Sequence, residues 1–243
     1  MHSGYFANTE VARPFLDTIS QAIIKYKPSV IADLGGGTGF ILNELAKRHA
    51  DTSIKFINID YSAKQIEECK NREITSLKTS VLDIRRDMLI HDGHLMLIMR
   101  SLLHYFGYSG GEPFLKHLRS QMKPGEVMVH QTVCFESQEE ADCANCLYTM
   151  MGTPKYYLTA TGLIQTLTET DWQVIDSQMA VPRLILKSDE LAERYGLSKK
   201  DVLRIREELC KRYGSQILLP DEASFTGFLH YRIFTCVARP NSE

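Results

Sequence analysis

The chain has 243 residues, with 28 Lys and Arg against 30 Asp and Glu and a formal net charge of −2, a length that buries a sizeable core as one large domain with or without a cover. Both signs are spread along the sequence, which leaves no electrostatic footprint for nucleic acid or an anionic membrane. No apolar run approaches the roughly twenty residues of a membrane span, the polar start Met1-His2-Ser3-Gly4 lacks the pattern of a signal peptide, and a cytoplasmic location is expected.

The first 27 residues, from Gly4-Tyr5-Phe6 through Ile19 and Ile23, predict a helical cover. Tyr5 and Phe6 either wall a ligand pocket or pack this cover on the rest. Val30-Ile31-Ala32-Asp33-Leu34 then reads as a buried strand that stops in Gly35-Gly36-Gly37-Thr38-Gly39. A helix follows, since Phe40, Ile41, Leu45 and Ala46 share one face. Glycines let a ligand approach the backbone, and a helix start points unpaired N–H groups at it. The dinucleotide spacing G-x-G-x-x-G fails here, because its third glycine falls on Phe40.

The next strand, Lys55 to Ile59, delivers Asp60 and Tyr61 about twenty residues beyond the glycine loop, where a carboxylate accepts ribose hydroxyls. Alternatively Asp60, with Ser62, caps the helix near Ala63. A third strand over Ser76 to Leu82 predicts Asp83-Ile84 at its end, with an ordinary loop carboxylate as the plainer reading of Asp83.

Asp33 ahead of Gly35, Gly37 and Gly39, with Asp60 and Asp83 following at two further strand ends, resembles the class I S-adenosylmethionine-dependent methyltransferases. The resemblance covers roughly residues 28 to 178 plus the final strand. It implies an α/β fold: a Rossmann-like seven-stranded sheet, mostly parallel with the last strand antiparallel, and helices on both faces. It implies S-adenosyl-L-methionine as cofactor, held by Asp33, Gly35, Gly37, Gly39, Asp60, Tyr61, Asp83, Ile84 and Arg100. Asp33 would lie near the methionyl ammonium, Asp60 at the ribose and Asp83 at the adenine amino group.

The fourth strand, Leu95 to Met99, runs into Arg100-Ser101-Leu102-Leu103-His104. This segment, with Phe114 to Arg119 and the turn Lys123-Pro124-Gly125, is similar to small-molecule O-methyltransferases, in which a histidine after the fourth strand is the general base. His104 holds that place, with Tyr105 where the family has an aspartate. Glu126 departs from the family's second glycine after the turn. A hydroxyl acceptor gains from losing its proton as it attacks, which suits a histidine near its ordinary pKa. The alternative is that His104 packs near the cofactor without moving a proton.

The fifth strand, Glu126 to Val133, is expected to end at His130 and Gln131 on the ligand side of the sheet. His130, Cys134, Cys143 and Cys146 are residue types that ligate zinc. Against a metal site, His130 and Cys134 fall at or just beyond a predicted strand and Cys143 and Cys146 fit one face of a helix, so no metal is expected. The six cysteines are too sparse for a disulfide scaffold and are expected to be reduced. Tyr148, Met150, Met151, Tyr156 and Tyr157 either line an apolar acceptor pocket or belong to the core.

Leu158 to Leu167 predicts a helix capped by Thr159, Trp172 to Ile175 a strand, and Leu229 to Ala238 the last strand. A helical insertion over 182–228 interrupts a core of 28–181 and 229–240. Its two helices, Ser188 to Tyr195 and Ser198 to Tyr213, are read as a lid that covers substrate or makes a homodimer. A helix-turn-helix is disfavoured because Glu190, Glu193, Glu207 and Glu208 oppose phosphate contacts. The expected partner is a small-molecule acceptor with oxygen as nucleophile. RNA or protein methylation, and a non-catalytic cofactor-binding subunit, are the alternatives.

Overall fold

The computed structural model describes residues 2–153, 155–215 and 218–240. Among them, nine strands form one sheet: β1 (Val30–Leu34), β2 (Lys55–Asp60), β3 (Ile74–Lys78), β4 (Leu95–Arg100), β5 (Val127–Phe135), β6 (Leu158–Thr159), β7 (Trp172–Lys187), β8 (Leu219–Pro220) and β9 (Phe225–Ala238). The long strands lie in the order β3-β2-β1-β4-β5-β9-β7, with β6 beside β5 and β8 beside β9. From β3 to β5 every neighbour is parallel, and β9 runs antiparallel to both β5 and β7. The expected seven-strand path is present. The two additional strands are two-residue pairings on its margins, too short to leave a periodic signal.

Both faces of the sheet are buried, and the pleat divides each strand between two cores. Ile31 of β1 packs with Phe15, Leu16 and Ile19 of α1 (Thr9–Tyr26) and with Ile41, Leu42 and Leu45 of α2 (Phe40–Arg48). Its neighbours Val30, Ala32 and Leu34 face Phe114, Leu115 and Leu118 of α5 (Gly107–Ser120) and Leu163 and Leu167 of α7 (Ala160–Glu169). The crossovers β2 to β3 and β3 to β4 carry the short helices α3 (Ala63–Glu68) and α4 (Arg86–Leu89). Asn8 caps α1 by accepting from the Glu10 and Val11 N–H groups, and Thr159 caps α7 from Gly162, as its sequence predicts.

Three boundaries differ from the sequence reading. β3 ends at Lys78, and residues 79–84 form turns, so Asp83 is not at a strand end. β5 runs on to Phe135, which puts His130 and Gln131 in mid-strand. β7 and β9 remain paired out to Lys187 and Thr226, so strands take both ends of the predicted insertion and leave it residues 188–224. Within it, α8 (Ser188–Tyr195) and α9 (Lys199–Tyr213) match expectation, including the Ser198–Asp201 capping box. Val202, Ile205 and Leu209 of α9 join the same core as Leu147 of α6 (Gln138–Met150), so the insertion is anchored to the domain.

Glu126 explains its own departure from the family pattern. Its buried carboxylate accepts two hydrogen bonds from the Arg86 guanidinium, at 2.7 and 2.8 Å, and one each from the Leu95 and Lys123 N–H groups, at 2.8 and 2.7 Å. One side chain thus ties α4, β4 and the turn before β5 together, and removing it strands a guanidinium and two N–H groups. Glu126→Ala is expected to cost about 3–5 kcal/mol, read as a lowered urea midpoint. A midpoint equal to that of the parent protein rejects this role.

Candidate active site

The chain leaves β1 towards β2 and β3, then returns across the sheet to β4, so the carboxyl ends of β1 and β4 flank a crevice at the reversal. The glycine loop fills one side. Gly35 and Gly36 donate their N–H groups to the Ile59 carbonyl at 2.8 and 3.2 Å, Asn58 donates to the Gly37 carbonyl at 2.9 Å, and Asp60 accepts from Gly37 N–H at 3.1 Å. Gly35 has φ +67, a left-handed conformation that favours glycine. A Cβ on Gly36 would collide with Asn58 Oδ1 and lie 2.6 Å from Asp33 Oδ2. The loop therefore lies flat on β1 and β2 because these two positions carry no side chain.

β4 supplies the other side. Arg100 donates to the Phe6 carbonyl at 3.0 Å and lies over the Phe6 ring at 5.3 Å, while its Nε and Nη2 have no hydrogen-bond partner among the described residues. Ser101 is held at φ +60 by its N–H bond to the Gln131 carbonyl at 2.8 Å, and its hydroxyl shares a 2.8 Å hydrogen bond with Tyr231. A non-glycine residue in this conformation carries strain of the kind that gathers at functional sites. His104 follows on a 3-10 turn, Leu103–Phe106, buried between Tyr105 and Tyr157 at ring distances of 4.3 and 5.2 Å.

Two cavities meet here and share Gly35, Arg100, Ser101 and Tyr105 as a common wall. One, of about 450 Å³, is lined by Asp60, Tyr61, Ser80, Val81, Leu82, Leu102 and Phe106. The other, of about 320 Å³, runs from Asp33 and the glycine loop past Phe6 and Gln65 to His104, Tyr148, Lys155, Tyr157, Leu184, Arg194, Leu229 and Tyr231. Its far wall is assembled from α6, the segment before β6, α8 and the two long strands.

Burial sets the charge states. Asp33 is pushed up to about 7, chiefly by burial, with Arg100 pulling it down and Asp60 pushing it up. His104 is pulled down to about 3 by burial and then by the positive charges of Lys155 and Arg194, and so stays neutral. Lys155 is lowered to about 8 by burial and by Arg194. The Tyr231 hydroxyl is raised by burial and remains protonated.

Of the residues expected to form the site, Asp33, Gly35, Gly37, Asp60, Tyr61, Arg100 and His104 line these cavities. Three do not. Asp83 is exposed in the turn after β3, and Ser80 and Val81 line the cavity instead. Ile84 is fully buried with Leu89 and Leu95 in the core. Gly39 starts α2, where a Cβ would lie 2.6 Å from Cys69 Sγ, so its glycine serves packing.

His130 stacks on Phe234 at 5.1 Å, deep in mid-strand. Cys134 faces the core layer holding Phe234, whereas Cys143 and Cys146 belong to the opposite layer. The sheet therefore divides the His and Cys cluster. Both readings of the tyrosines hold together, since Tyr148 and Tyr157 belong to the core and also line the cavity, whereas Met151 belongs to the core alone. Lys155, Arg194, Leu184, Leu229 and Tyr231 escaped the sequence reading. Lys155 had one usable signal: it is the only Lys or Arg between Lys123 and Arg183.

No curated protein sequence matches the chain. YcgJ from Bacillus subtilis is similar in structure, with a TM-score of 0.69 at 10% identity over 94% of this chain and 100% of that one. Magnesium protoporphyrin IX methyltransferase from Synechocystis, solved with S-adenosylhomocysteine, gives 0.57 at 11% identity over 94% and 84%. The 1,6-didemethyltoxoflavin-N1-methyltransferase of Burkholderia thailandensis, solved with its substrate and S-adenosylhomocysteine, gives 0.55 at 14% identity over 98% and 85%. At these identities the likeness is one of fold. Residues 31–125, which span β1 to the turn before β5, match the family described as a methyltransferase domain, and the chain shares the fold of these structures.

Proposed function

We propose that this chain is an enzyme that transfers a methyl group from S-adenosylmethionine to an oxygen of a small organic molecule. The observation that carries this reading is the pair of cavities meeting at Gly35, Arg100, Ser101 and Tyr105. The residues fit the cofactor: a flat glycine cradle that a Cβ would fill, a buried carboxylate at Asp33, an Arg100 guanidinium with unpartnered N–H groups, and Asp60 facing the larger cavity. Asp60 would accept from the ribose hydroxyls, Tyr61, Val81 and Leu82 would flank the adenine, and Asp33 and Arg100 would hold the methionyl ammonium and carboxylate.

When bound, S-adenosylmethionine supplies an electrophilic methyl: the sulfur–methyl bond breaks as the oxygen–methyl bond forms, leaving a neutral thioether and, from a hydroxyl acceptor, one proton. The protein's task is to align the acceptor oxygen through the shared wall and to exclude water. The second cavity, of about 320 Å³, is at the scale of a small molecule rather than a polymer strand. A neutral His104 offers a lone pair to an acceptor hydroxyl, and the Ser101–Tyr231 pair fixes a second polar edge.

Purified, dialysed protein is expected to bind S-adenosylmethionine and S-adenosylhomocysteine with micromolar affinity by calorimetry and to ignore NAD. Asp60→Ala should weaken S-adenosylhomocysteine by about ten- to a hundredfold, the loss of charge-assisted hydrogen bonds. An unchanged affinity in that variant removes Asp60 from the ribose site, and no binding by the folded parent protein removes the whole reading.

Asp33 adds a pH dependence. Its folded value of about 7 lies above the ordinary carboxylate range, so the ionised form needed by an ammonium prevails above neutrality and is lost as the pH falls. Affinity for S-adenosylhomocysteine is expected to drop about tenfold from pH 8 to pH 6. A flat profile, or one that rises towards acid, rejects the pairing.

A further inference from the structure

The acceptor side of the smaller cavity has a charge pattern that the methyl-transfer reading leaves unused. Its lining holds three cations, Arg100, Lys155 and Arg194, and one carboxylate, Asp33, which lies at the glycine loop. Lys155 is boxed by aromatic rings: its ammonium lies over Tyr148 at 4.7 Å, Tyr105 at 5.0 Å and Tyr195 at 5.7 Å, and donates to the Tyr195 hydroxyl at 3.0 Å. Among the described residues no carboxylate forms an ion pair with it.

An ammonium taken out of water is costly unless an anion or a set of hydrogen bonds replaces its hydration. The tyrosine box supplies part of this through cation–π contacts. The remaining capacity faces the cavity, beside Arg194. The fields of these two cations reach His104 and lower its proton affinity, and Arg194 lowers that of Lys155. The groups facing Lys155 among the described residues are Tyr105 and His104 from the turn after β4, Tyr148 from α6, and Arg194 and Tyr195 from α8, and the charge whose field acts on it is that of Arg194.

We propose that Lys155 and Arg194 bind the carboxylate of the acceptor, so that the methyl acceptor is a small planar carboxylic acid lying between the tyrosine box and the glycine loop. This rests on the methyl-transfer reading above. The lining suits a ring: it brings together the aromatic side chains of Phe6, Tyr105, Tyr148, Tyr157 and Tyr231 with the apolar Leu184 and Leu229. A bound carboxylate would also offset the two positive fields on His104, leaving only its burial to suppress protonation. The imidazole would then be a better proton acceptor with an acid in place than without one.

The test uses full-length protein saturated with S-adenosylhomocysteine, titrated calorimetrically with benzoate and the three hydroxybenzoates, each beside its amide. The acids are expected to bind at least about tenfold more tightly than the amides. Lys155→Met should lose that preference while keeping the parent affinity for S-adenosylhomocysteine, which shows that the variant is folded. Arg194→Met, on another element, gives a second reading of the same loss. Benzoate affinity should fall about tenfold between pH 7 and pH 9 as Lys155 loses its proton, since its free value is about 8, and Lys155→Arg should abolish that pH dependence. Equal or better binding of the amides, no binding of any acid, or an unaltered preference in both Met variants overturns the proposal and leaves the cofactor reading standing. Failure of S-adenosylhomocysteine itself to bind overturns the cofactor reading instead.

Discussion

The structure depends on the reversal of strand order between β1 and β4. Parallel strands in one sheet share a direction, so their carboxyl ends lie along one edge, and crossovers normally cover that edge. Where the chain first winds outwards to β3 and then returns to the far side of β1, the two departing loops move apart and leave the edge open. Both halves of the site follow from this. The loop after β1 is glycine, because Asp33 and Asn58 lie directly beneath Gly36, and the turn after β4 is strained at Ser101, because its N–H must still reach the Gln131 carbonyl.

The remainder of the fold steadies that edge from behind and from above. Behind it, Glu126 fixes the starts of β4 and β5 through Arg86 and two backbone N–H groups, so both strands deliver their carboxyl ends in a defined register. Above it, the first turn at Tyr5 and Phe6 packs on Arg100 and Tyr231, while α8 brings Arg194 and Tyr195 over the far wall. The insertion is tied down by α9 against α6. Through Arg194 of α8 it also supplies part of the lining of the smaller cavity.

The legible parts were those with short-range signals. β1, the glycine loop, Asp60, the caps at Thr159 and Ser198 and both insertion helices follow from spacing and local capping chemistry within a few residues. Asp83 misled because Leu77, Val81 and Leu82 read as one apolar strand, whereas the chain turns at Thr79 and leaves Leu82 exposed. Ser80, Val81 and Leu82, which line the cavity there, carry no side chain that would single them out as a ligand site. The acceptor wall was illegible for a different reason. Lys155, Arg194, Leu229 and Tyr231 come from separate parts of the sequence and converge only through the pairing of β7 with β9 and the docking of α8. No local pattern encodes such a meeting. His130 shows the converse error: a histidine near a strand end reads as functional, but β5 continues in pairs with β9 to Val133 and with β6 to Phe135, and His130 is buried against Phe234.

The distribution of charge bears on how the reaction is driven. A sulfonium placed at the shared wall would have Asp33 on its own side and the cations Lys155 and Arg194 across the cavity. Two like unit charges about 4 Å apart at an effective dielectric constant of about 20 repel by about 4 kcal/mol, so the Lys155 ammonium facing a sulfonium would raise the ground state. An acceptor anion between them turns a repulsive row into an alternating one of cation, anion and cation. The same anion would relieve the fields of Lys155 and Arg194, which add to the larger effect of burial in lowering His104 to about 3. One binding event would then align the nucleophile, permit the sulfonium to approach and raise the basicity of the only imidazole lining the two cavities. Burial alone would leave His104 too weak a base to deprotonate an ordinary hydroxyl in a separate step. Its assistance would be confined to the moment at which the oxygen already shares its electrons with the methyl group and its proton has become acidic. On the proposed geometry, selectivity for an acid and the capacity for catalysis would come from the same two side chains.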